Sequence, residues 1–367
     1  MIFRPILQNF FYPQLLRQVY KKRILPPLAL PPKQSRAMST PVQKHKITKW
    51  VAVDSKTGEF QRKPSVFRDA ISRAPGARFP PEKGRYHLYV SYACPWAHRT
   101  QIIRELKGLQ DIISLSVVHW HMGTKGWRFA TESEASSSPE MTAAPEPINN
   151  ASYLQDIYFK ADPEYSGRYT VPILWDKQTN TIVNNESSEI IRFLYTEFDN
   201  LVDEKFRGNL FYPEEKRGVI DELNSWVYDT INNGVYKSGI ATIQGAYEDA
   251  VTALFASLDR VEALLKASTG PYLLGEKLTE ADVRLYPTII RFDPVYVQHF
   301  KGNIGMIRHD YPAIHKWLRH LYWEVPAFKE TTNFEHIKKH YTKPHTQINP
   351  TGVTPLGPLP HILPLEG

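Results

Sequence analysis

Cysteine is nearly absent from this chain, which contains a single one, Cys94, among 367 residues. A lone thiol excludes an intramolecular disulfide, and with it a disulfide-stapled fold and a two-cysteine redox motif. Any redox chemistry at Cys94 must therefore pass through a mixed disulfide with a thiol from another molecule. The lack of structural disulfides also fits a reducing compartment.

Long apolar runs and, at the start of the chain, acidic residues are missing as well. No stretch approaches the roughly 20 apolar residues of a transmembrane helix, so we expect no integral membrane segment. Residues 1–53 carry ten Lys and Arg but no carboxylate. The remainder has 35 basic and 38 acidic residues, so the net charge of +7 comes from this leader. A nucleic-acid surface on the folded body is not expected.

The basic leader of residues 1–53 interleaves its cations with Ile, Leu, Phe and Tyr. This composition is typical of an organelle transit peptide and predicts mitochondrial localisation. The alternative is translation from Met38, which predicts a cytoplasmic protein.

Cys94 falls between a predicted strand at 87–91 and a predicted helix at 96–107. Pro95 then takes the first helical position, where its missing N–H costs nothing. Unpaired N–H groups and the positive end of the helix dipole favour a thiolate there, so we predict a lowered pKa and a reactive thiol. The alternative is a buried structural cysteine that packs as a small apolar residue.

Two patterns divide the body of the chain. Up to about residue 205 the predicted elements run β, α, β and then β, β, α, the second set at 170–176, 181–184 and 190–195. This order predicts a thioredoxin-like α/β domain of four strands with helices on both faces. Beyond it the apolar periodicity is helical, with Thr279 as an N-cap. The predicted organisation is a leader at 1–53, a thioredoxin-like domain at 54–205 whose N-terminal arm has a short helix near 66–72, an all-helical domain at 206–342, and an extended tail at 343–367.

Three segments of the first domain predict a site for an extended tripeptide with a thiol, as glutathione is. The tripeptide thiol would meet Cys94, and a cis Val171-Pro172 step would expose the backbone of Val171 to the middle of the peptide. Ser187, at a helix N-terminus, would hold a carboxylate, and Glu186 an α-amino group. The alternative for Glu186 and Ser187 is a simple helix cap.

Long stretches of the sequence resemble one family, the glutathionyl-hydroquinone reductases. These are the Xi class of the glutathione transferases, related to the omega class, and the resemblance covers about residues 50–358. It implies a thioredoxin-like N-terminal domain, an all-α C-terminal domain and a homodimer. The stretches that carry it are 91–99, 126–129, 170–176, 184–191, 232–236, 278–285, 291–296 and 346–352.

The resemblance also implies a reaction, in which a glutathionyl-hydroquinone and glutathione give a hydroquinone and glutathione disulfide. Glutathione is thus implied as co-substrate and Cys94 as nucleophile. Trp127, Val171, Glu186 and Ser187 are implied as glutathione contacts. Phenols could stabilise and protonate the aromatic leaving group, and the candidates in the helical domain are Tyr228, Tyr236 and Tyr296.

Two other functions remain open from the sequence. An omega-like thiol transferase or dehydroascorbate reductase would need the same thiol and the same glutathione site. A non-catalytic protein that binds apolar ligands between its domains would need neither.

The 13 histidines show no metal-ligand spacing, so no metal is expected. His98 and Arg99 follow Cys94 on its helix, where Arg99 could lower the thiol pKa or lie on a solvated face.

Overall fold

The computed structural model describes residues 52–137 and 143–365. The predicted transit peptide lies outside them, except for its last two positions. All the described residues belong to one compact unit. No helix within the described ranges is long and apolar enough to cross a bilayer.

Six strands form two sheets in this part of the chain. They are β1 (Ala52–Val53), β2 (Phe60–Gln61), β3 (Tyr86–Val90), β4 (Ser114–Val117), β5 (Ile173–Asp176) and β6 (Thr181–Asn184). The strands β1 and β2 form a small hairpin, and the other four form a mixed sheet in the order β4-β3-β5-β6. Leu88 of the central strand β3 pairs with Leu115 of β4 in parallel and with Leu174 of β5 antiparallel. All of β3 is buried, so this strand lies at the centre of the core.

The helices dominate the chain after the sheet. Within the described residues they are α1 (Pro95–Leu106), α2 (Glu132–Ser137), α3 (Leu154–Ala161), α4 (Ser187–Thr196), α5 (Arg217–Val227), α6 (Gly234–Ile240), α7 (Gln244–Ala267), α8 (Glu280–Arg291), α9 (Val297–His299), α10 (Ile307–Asp310), α11 (Pro312–Glu324), α12 (Pro326–Glu330) and α13 (Phe334–Thr342), with π-helical turns at Tyr228–Asn232 and Phe292–Tyr296. The predicted fold, a thioredoxin-like sheet domain followed by an all-α domain, is confirmed.

Helix α1 joins the two parts of the molecule. It packs against α4 of the sheet domain and against α8 and α12 of the helical domain. Nine of its twelve residues are buried, because the sheet domain and the helical domain both cover it. The helix that Cys94 precedes is therefore fixed from two sides.

Helix α8 begins as predicted. Its N-cap is Thr279, whose backbone N–H donates to the carboxylate of Asp282 at 2.9 Å. Asp282 is fully buried and also accepts from the indole N–H of Trp317. These hydrogen bonds of Asp282 fix the position of the N-terminus of α8. The helix then runs to Arg291 at its C-terminal end.

The arm differs from the prediction, because residues 62–85 contain no helix. Phe67 is held in an extended conformation instead, since its N–H donates to the side chain of Asn185 and its carbonyl accepts from the Asn185 N–H. Pairing with a distant segment thus replaces the local helix that was expected near 66–72. Residues 343–365 contain no helix.

Candidate active site

Cys94 occupies the N-cap of α1, between β3 and the helix, and Pro95 is the first helical residue. Its backbone is extended (φ −79°, ψ 120°), which turns the chain from the strand into the helix. The thiol donates to the carbonyl of Val171, with a sulfur–oxygen distance of 3.6 Å. The sequence therefore located the joint between strand and helix correctly.

The pKa of the Cys94 thiol differs from the prediction in its sign. Burial raises this pKa, and the backbone N–H groups of Trp96 and Ala97, together with the charges of Arg62 and Arg291, act in the opposite direction. The helix terminus lowers the pKa as expected, but desolvation outweighs it. The prediction of a net lowered pKa was wrong because it left out the desolvation of the thiol, which is partly exposed in a cleft.

Two adjoining clefts meet beside Cys94. We call the first, of about 820 Å³, the cysteine cleft and the second, of about 680 Å³, the glutamate cleft. The walls they share include Trp96, Arg168 and Val171. The cysteine cleft is further lined by Phe60, Cys94, Met122, Trp127, Tyr236, His340 and Tyr341, and the glutamate cleft by Ser65, Tyr165, Glu186, Ser187 and Tyr228.

Glu186 and Ser187 lie at the N-terminus of α4, as predicted. Glu186 is the N-cap, and its carboxylate accepts from the Ser188 N–H at 3.1 Å and from the hydroxyls of Ser188 and Ser65. The alternative of a helix cap is thus observed for Glu186. Burial acts to raise the pKa of Glu186, but these hydrogen bonds and the charge of Arg99 outweigh it and the pKa is lowered. Glu186 therefore carries a negative charge into the glutamate cleft at neutral pH.

Val171 lies where the two clefts join. The Val171-Pro172 peptide bond is cis, as expected for this proline in a thioredoxin-like fold. Val171 lines both clefts while its side chain is 4% exposed. A ligand that extends from Glu186 to Cys94 must pass this residue.

Trp127 lies in the cysteine cleft rather than in the glutamate cleft. Its ring stacks on that of His340, with centroids 4.6 Å apart and planes at 21°. His340 is fixed in turn by its contact with the carbonyl of Trp120 at 2.9 Å. Trp127 is thus next to the place where a ligand thiol would meet Cys94, and away from Glu186.

The three predicted tyrosines occupy three different places. Tyr236 lines the cysteine cleft, and its hydroxyl lies 2.6 Å from that of Tyr341. Tyr296 is fully buried behind the cleft wall, 3.1 Å from the same Tyr341 hydroxyl. Tyr228 is 37% exposed, lines the glutamate cleft and packs near the Trp96 ring. Of the three, Tyr236 alone lines the cleft that contains Cys94.

The phenols of the cysteine cleft are neutral at physiological pH. Burial raises the pKa of Tyr236, and a negative charge on Cys94 raises it further. Burial likewise raises the pKa of Tyr296 and that of Tyr341. A neutral phenol can donate a hydrogen bond or a proton, so Tyr236 and Tyr341 offer O–H groups to a ligand beside the thiol.

The arm contributes side chains that the sequence analysis missed. Phe60 stacks on Tyr236 in the cysteine cleft, Arg62 lies 4.0 Å above the Trp96 ring, and Ser65 donates to Glu186 in the glutamate cleft. Tyr341 and Arg168 were also missed. These residues lie far apart in the sequence and form no motif, so only the fold could reveal their proximity.

Arg99 lies on no solvated helix face. It is 2% exposed, donates to the side chain of Asn232 at 2.8 Å and lies 4.5 Å from the centre of the Trp96 ring. Burial and the nearby charge of Arg284 lower its pKa to about 9. Arg99 therefore belongs to the interface between the two domains.

Among the described residues, no group of three or more His, Cys, Asp or Glu could hold a metal ion.

Comparison with known proteins finds the same two domains. A family model described as "Glutathione S-transferase, N-terminal domain" matches residues 93–197, and one described as "Glutathione S-transferase, C-terminal domain" matches residues 244–320. The chain is 57% identical over 317 residues to "Glutathione S-transferase omega-like 2" of Schizosaccharomyces pombe, covering 86% of this chain and 97% of that protein.

Two further relatives are similar over most of their length. "Glutathionyl-hydroquinone reductase YqjG" of Escherichia coli is 49% identical over 315 residues, which cover 84% of this chain and 92% of that protein. The crystal structure of the Xi glutathione transferase ECM4 from Saccharomyces cerevisiae in complex with glutathione has a TM-score of 0.78 at 47% identity, covering 84% of this chain and 99% of that one.

Proposed function

This chain is an enzyme of the glutathione transferase family and belongs to its Xi class, and from that premise we propose that it reduces glutathionyl-hydroquinones to hydroquinones with glutathione as the reductant. The observation that carries the proposal is the position of the only thiol, Cys94, where a cleft with a charged glutamate meets a cleft lined with aromatic side chains. The substrate combines the same two chemistries in one molecule.

Glutathione would bind with its γ-glutamyl end in the glutamate cleft. The negative charge of Glu186 attracts the α-amino group, and Ser187, at the N-terminus of α4, holds the carboxylate. The backbone of Val171 would hold the middle of the tripeptide, which brings its sulfur to Cys94. The glutathione-bound structure of the yeast relative supports glutathione as the ligand.

The first step breaks the bond between the hydroquinone carbon and the glutathione sulfur. The Cys94 thiolate attacks that sulfur, a disulfide forms between Cys94 and glutathione, and the electron pair of the broken bond leaves with the ring carbon. The carbon takes up a proton, so the aromatic ring is reduced while two sulfur atoms are oxidised. The single cysteine of the chain supports a mixed disulfide with glutathione rather than an intramolecular disulfide.

The leaving ring would be held by phenols in the cysteine cleft. Tyr236 is the best candidate for the proton donor, because it lines this cleft together with Cys94 and its neutral hydroxyl is paired with the Tyr341 hydroxyl. Trp127 would cover the sulfur end of the bound glutathione. Tyr296 supports Tyr341 from behind, and Tyr228 would contact the other end of the tripeptide.

The second step restores the thiol. A second glutathione thiolate attacks the mixed disulfide at the glutathione sulfur, which gives glutathione disulfide and releases the Cys94 thiolate. The sum is one glutathionyl-hydroquinone and one glutathione converted to one hydroquinone and one glutathione disulfide. No other reductant is needed.

The test is a single-turnover experiment on the full chain. Wild-type protein mixed with a glutathionyl-hydroquinone, without free glutathione, should release one equivalent of hydroquinone and gain the mass of one glutathione. Added glutathione should then remove the adduct and give continuous turnover. A protein that releases hydroquinone without gaining the adduct would contradict the covalent route, and one that does neither would contradict the function.

A second candidate is an omega-like thiol transferase or dehydroascorbate reductase, favoured by the name of the S. pombe relative. It uses the same Cys94 and the same glutamate cleft, and it differs in what enters the cysteine cleft. Comparison of kcat/KM for dehydroascorbate, a glutathione mixed disulfide and a glutathionyl-hydroquinone separates the two. Much faster reduction of dehydroascorbate than of any glutathionyl-hydroquinone would favour this candidate.

A further inference from the structure

A buried positive charge lies behind Cys94 with no carboxylate to neutralise it. Arg291, the last residue of α8, has 0% of its surface exposed. Among the described residues no Asp or Glu forms an ion pair with it, whereas Arg85 is paired with Asp176. Burial of an unpaired guanidinium costs considerable free energy, so the structure must gain something specific from this charge.

Arg291 uses its N–H groups to hold the loop that leads to Cys94. Its Nε donates to the carbonyl of Ala93 at 3.0 Å, and Nη2 donates to the carbonyl of Tyr92 at 2.8 Å. Nη1 donates to the carbonyl of Pro287, one turn earlier on α8, at 2.7 Å. One side chain from the helical domain thus fixes the two residues that precede the thiol in the sheet domain.

The remaining contact of Arg291 is with a neutral histidine. Nη1 lies 3.0 Å from Nδ1 of His98, which must accept, because a guanidinium has only donors. His98 Nε2 then donates to the hydroxyl of Thr331 at 3.0 Å, and that hydroxyl donates to the carbonyl of Ala327. Burial and the charge of Arg291 lower the pKa of His98 well below its ordinary value. The positive charge therefore stays on Arg291.

We propose that Arg291 is a positioning residue for the thiol chemistry: it holds the Tyr92-Ala93 loop so that Cys94 keeps its place at the N-terminus of α1, and its charge stabilises the thiolate. The proposal rests on the proposed function only in that the thiolate is the nucleophile. Cys94 is partly exposed in the cleft, and two arginines act against the desolvation that raises its pKa. Arg62 is exposed on the arm, whereas Arg291 is permanently desolvated and acts in a medium that screens it little.

Other groups also act on this thiol and must be considered in a pH experiment. The N–H groups of Trp96 and Ala97 at the start of α1 favour the thiolate, and the neutral His98 lies on the same helix. The titratable groups that line the cysteine cleft around it are Arg62, Arg168, Tyr236, His340, Tyr341 and His345. Burial dominates the pKa of His98, of Tyr236 and of Tyr341, but the charge of Arg291 also acts to lower each of them, so the alkylation profile is compared with that of Arg291→Lys, which keeps this charge.

The test is the pH dependence of alkylation by iodoacetamide, which reports Cys94 alone because the chain has no other cysteine. In Arg291→Gln we expect the alkylation rate at pH 7 to fall about tenfold, as the thiol pKa rises by about one unit. Arg291→Lys keeps the charge but cannot reach all the acceptors, so its profile should lie between those of wild type and Arg291→Gln.

The matched control is Arg284→Gln on the same helix. Arg284 is also largely buried, but it is paired with Glu280 at 3.1 Å and makes no contact with the Cys94 loop. It should lose stability and leave the alkylation profile unchanged. If Arg291→Gln loses its circular dichroism signal, it is unfolded and cannot test the proposal. The test then rests on Arg291→Lys, because this variant retains the charge and one or two of the hydrogen bonds.

Two results would overturn the proposal: a folded Arg291→Gln with the wild-type alkylation profile, or Arg291→Lys with both wild-type alkylation and wild-type kcat. A shifted alkylation profile in a protein that releases no hydroquinone would support the role of Arg291 and contradict only the proposed substrate. The two proposals can therefore fail separately.

Discussion

The two clefts beside Cys94 differ in the state of their ionisable groups. In the cysteine cleft, burial raises the pKa of Tyr236 and of Tyr341, so their phenols stay neutral. In the glutamate cleft, hydrogen bonds outweigh the same burial and hold Glu186 in its charged form. Both clefts share Arg62 and Arg168, but the cysteine cleft adds neutral phenols, the glutamate cleft adds a fixed negative charge, and the thiol lies where they meet.

This difference indicates that the two clefts bind different parts of the substrate. A cleft with a fixed charge suits a ligand that always carries the same charged groups, as a tripeptide does. A cleft of aromatic rings and neutral hydroxyls suits a variable aromatic ligand, because stacking and phenol donors tolerate different ring substituents. We therefore expect changes in the two clefts to affect different steps.

The largest effect should come from the thiol itself. Cys94→Ser should lower the release of hydroquinone on the order of 1,000-fold or more, the scale expected when a covalent nucleophile is lost. Glutathione binding, measured by calorimetry, should change little, because the glutamate cleft is intact. Undiminished turnover in this variant would rule out the mixed disulfide.

The second-largest effect should come from a substitution in the cysteine cleft. Tyr236→Phe removes a hydroxyl of the cysteine cleft, and we expect kcat to fall about 100-fold, as for a lost proton donor, with little change in the KM for glutathione. Tyr286→Phe is the matched control, since its buried hydroxyl bonds to the carbonyl of Phe328 away from the cleft. Equal losses in the two variants would mean that Tyr236 acts through packing alone.

A smaller effect should come from a substitution in the glutamate cleft. Glu186→Gln should raise the KM for glutathione about tenfold, because the amide keeps the shape but loses the charge that attracts an ammonium group. The kcat at saturating glutathione should stay within a few-fold of wild type. Glu189→Gln, on the same helix but paired with Arg68, is the control. A similar KM in both variants would exclude Glu186 from the tripeptide site.

The smallest effect concerns stability. The folded-state pKa of Glu186 is lowered, so its carboxylate stabilises the fold above its ordinary pKa of 4.5, and this contribution is lost as the pH falls through the lowered value. At pH 7 the thermal midpoint of Glu186→Gln should lie about 2 °C below that of wild type. The difference should vanish in acid, and a difference that persists there would show that the charge is not its source.

Local sequence rules predicted the elements around the thiol to within a few residues. The strand, Cys94, Pro95 and the helix follow one another as expected, since proline fixes where the helix can begin. The strand expected at 170–176 is shorter, beginning at Ile173, because Pro172 has no N–H to donate to the sheet. Helix α6 was missed because it contains two glycines, which are poor helix formers.

The candidate site could be predicted only where its residues are close to a motif. Cys94, Val171, Glu186 and Ser187 each lie at a strand–helix junction or a Val-Pro step that the sequence displays. Contacts made by distant segments, such as the arm over both clefts or Arg291 on the Cys94 loop, depend on how the domains pack. The same packing raised the thiol pKa, which a reading of the helix terminus alone could not include. The homodimer and the mitochondrial location stay predictions.

The arm gives the two clefts a common wall. Phe60 rests on Tyr236 while Ser65, five residues later, donates to Glu186, and five residues span at most about 18 Å. A ligand that displaces one end of this short segment would also move the other end, so we expect binding in the two clefts to be thermodynamically linked. By reciprocity, an aromatic ligand that improves the affinity for glutathione has its own affinity improved by the same factor.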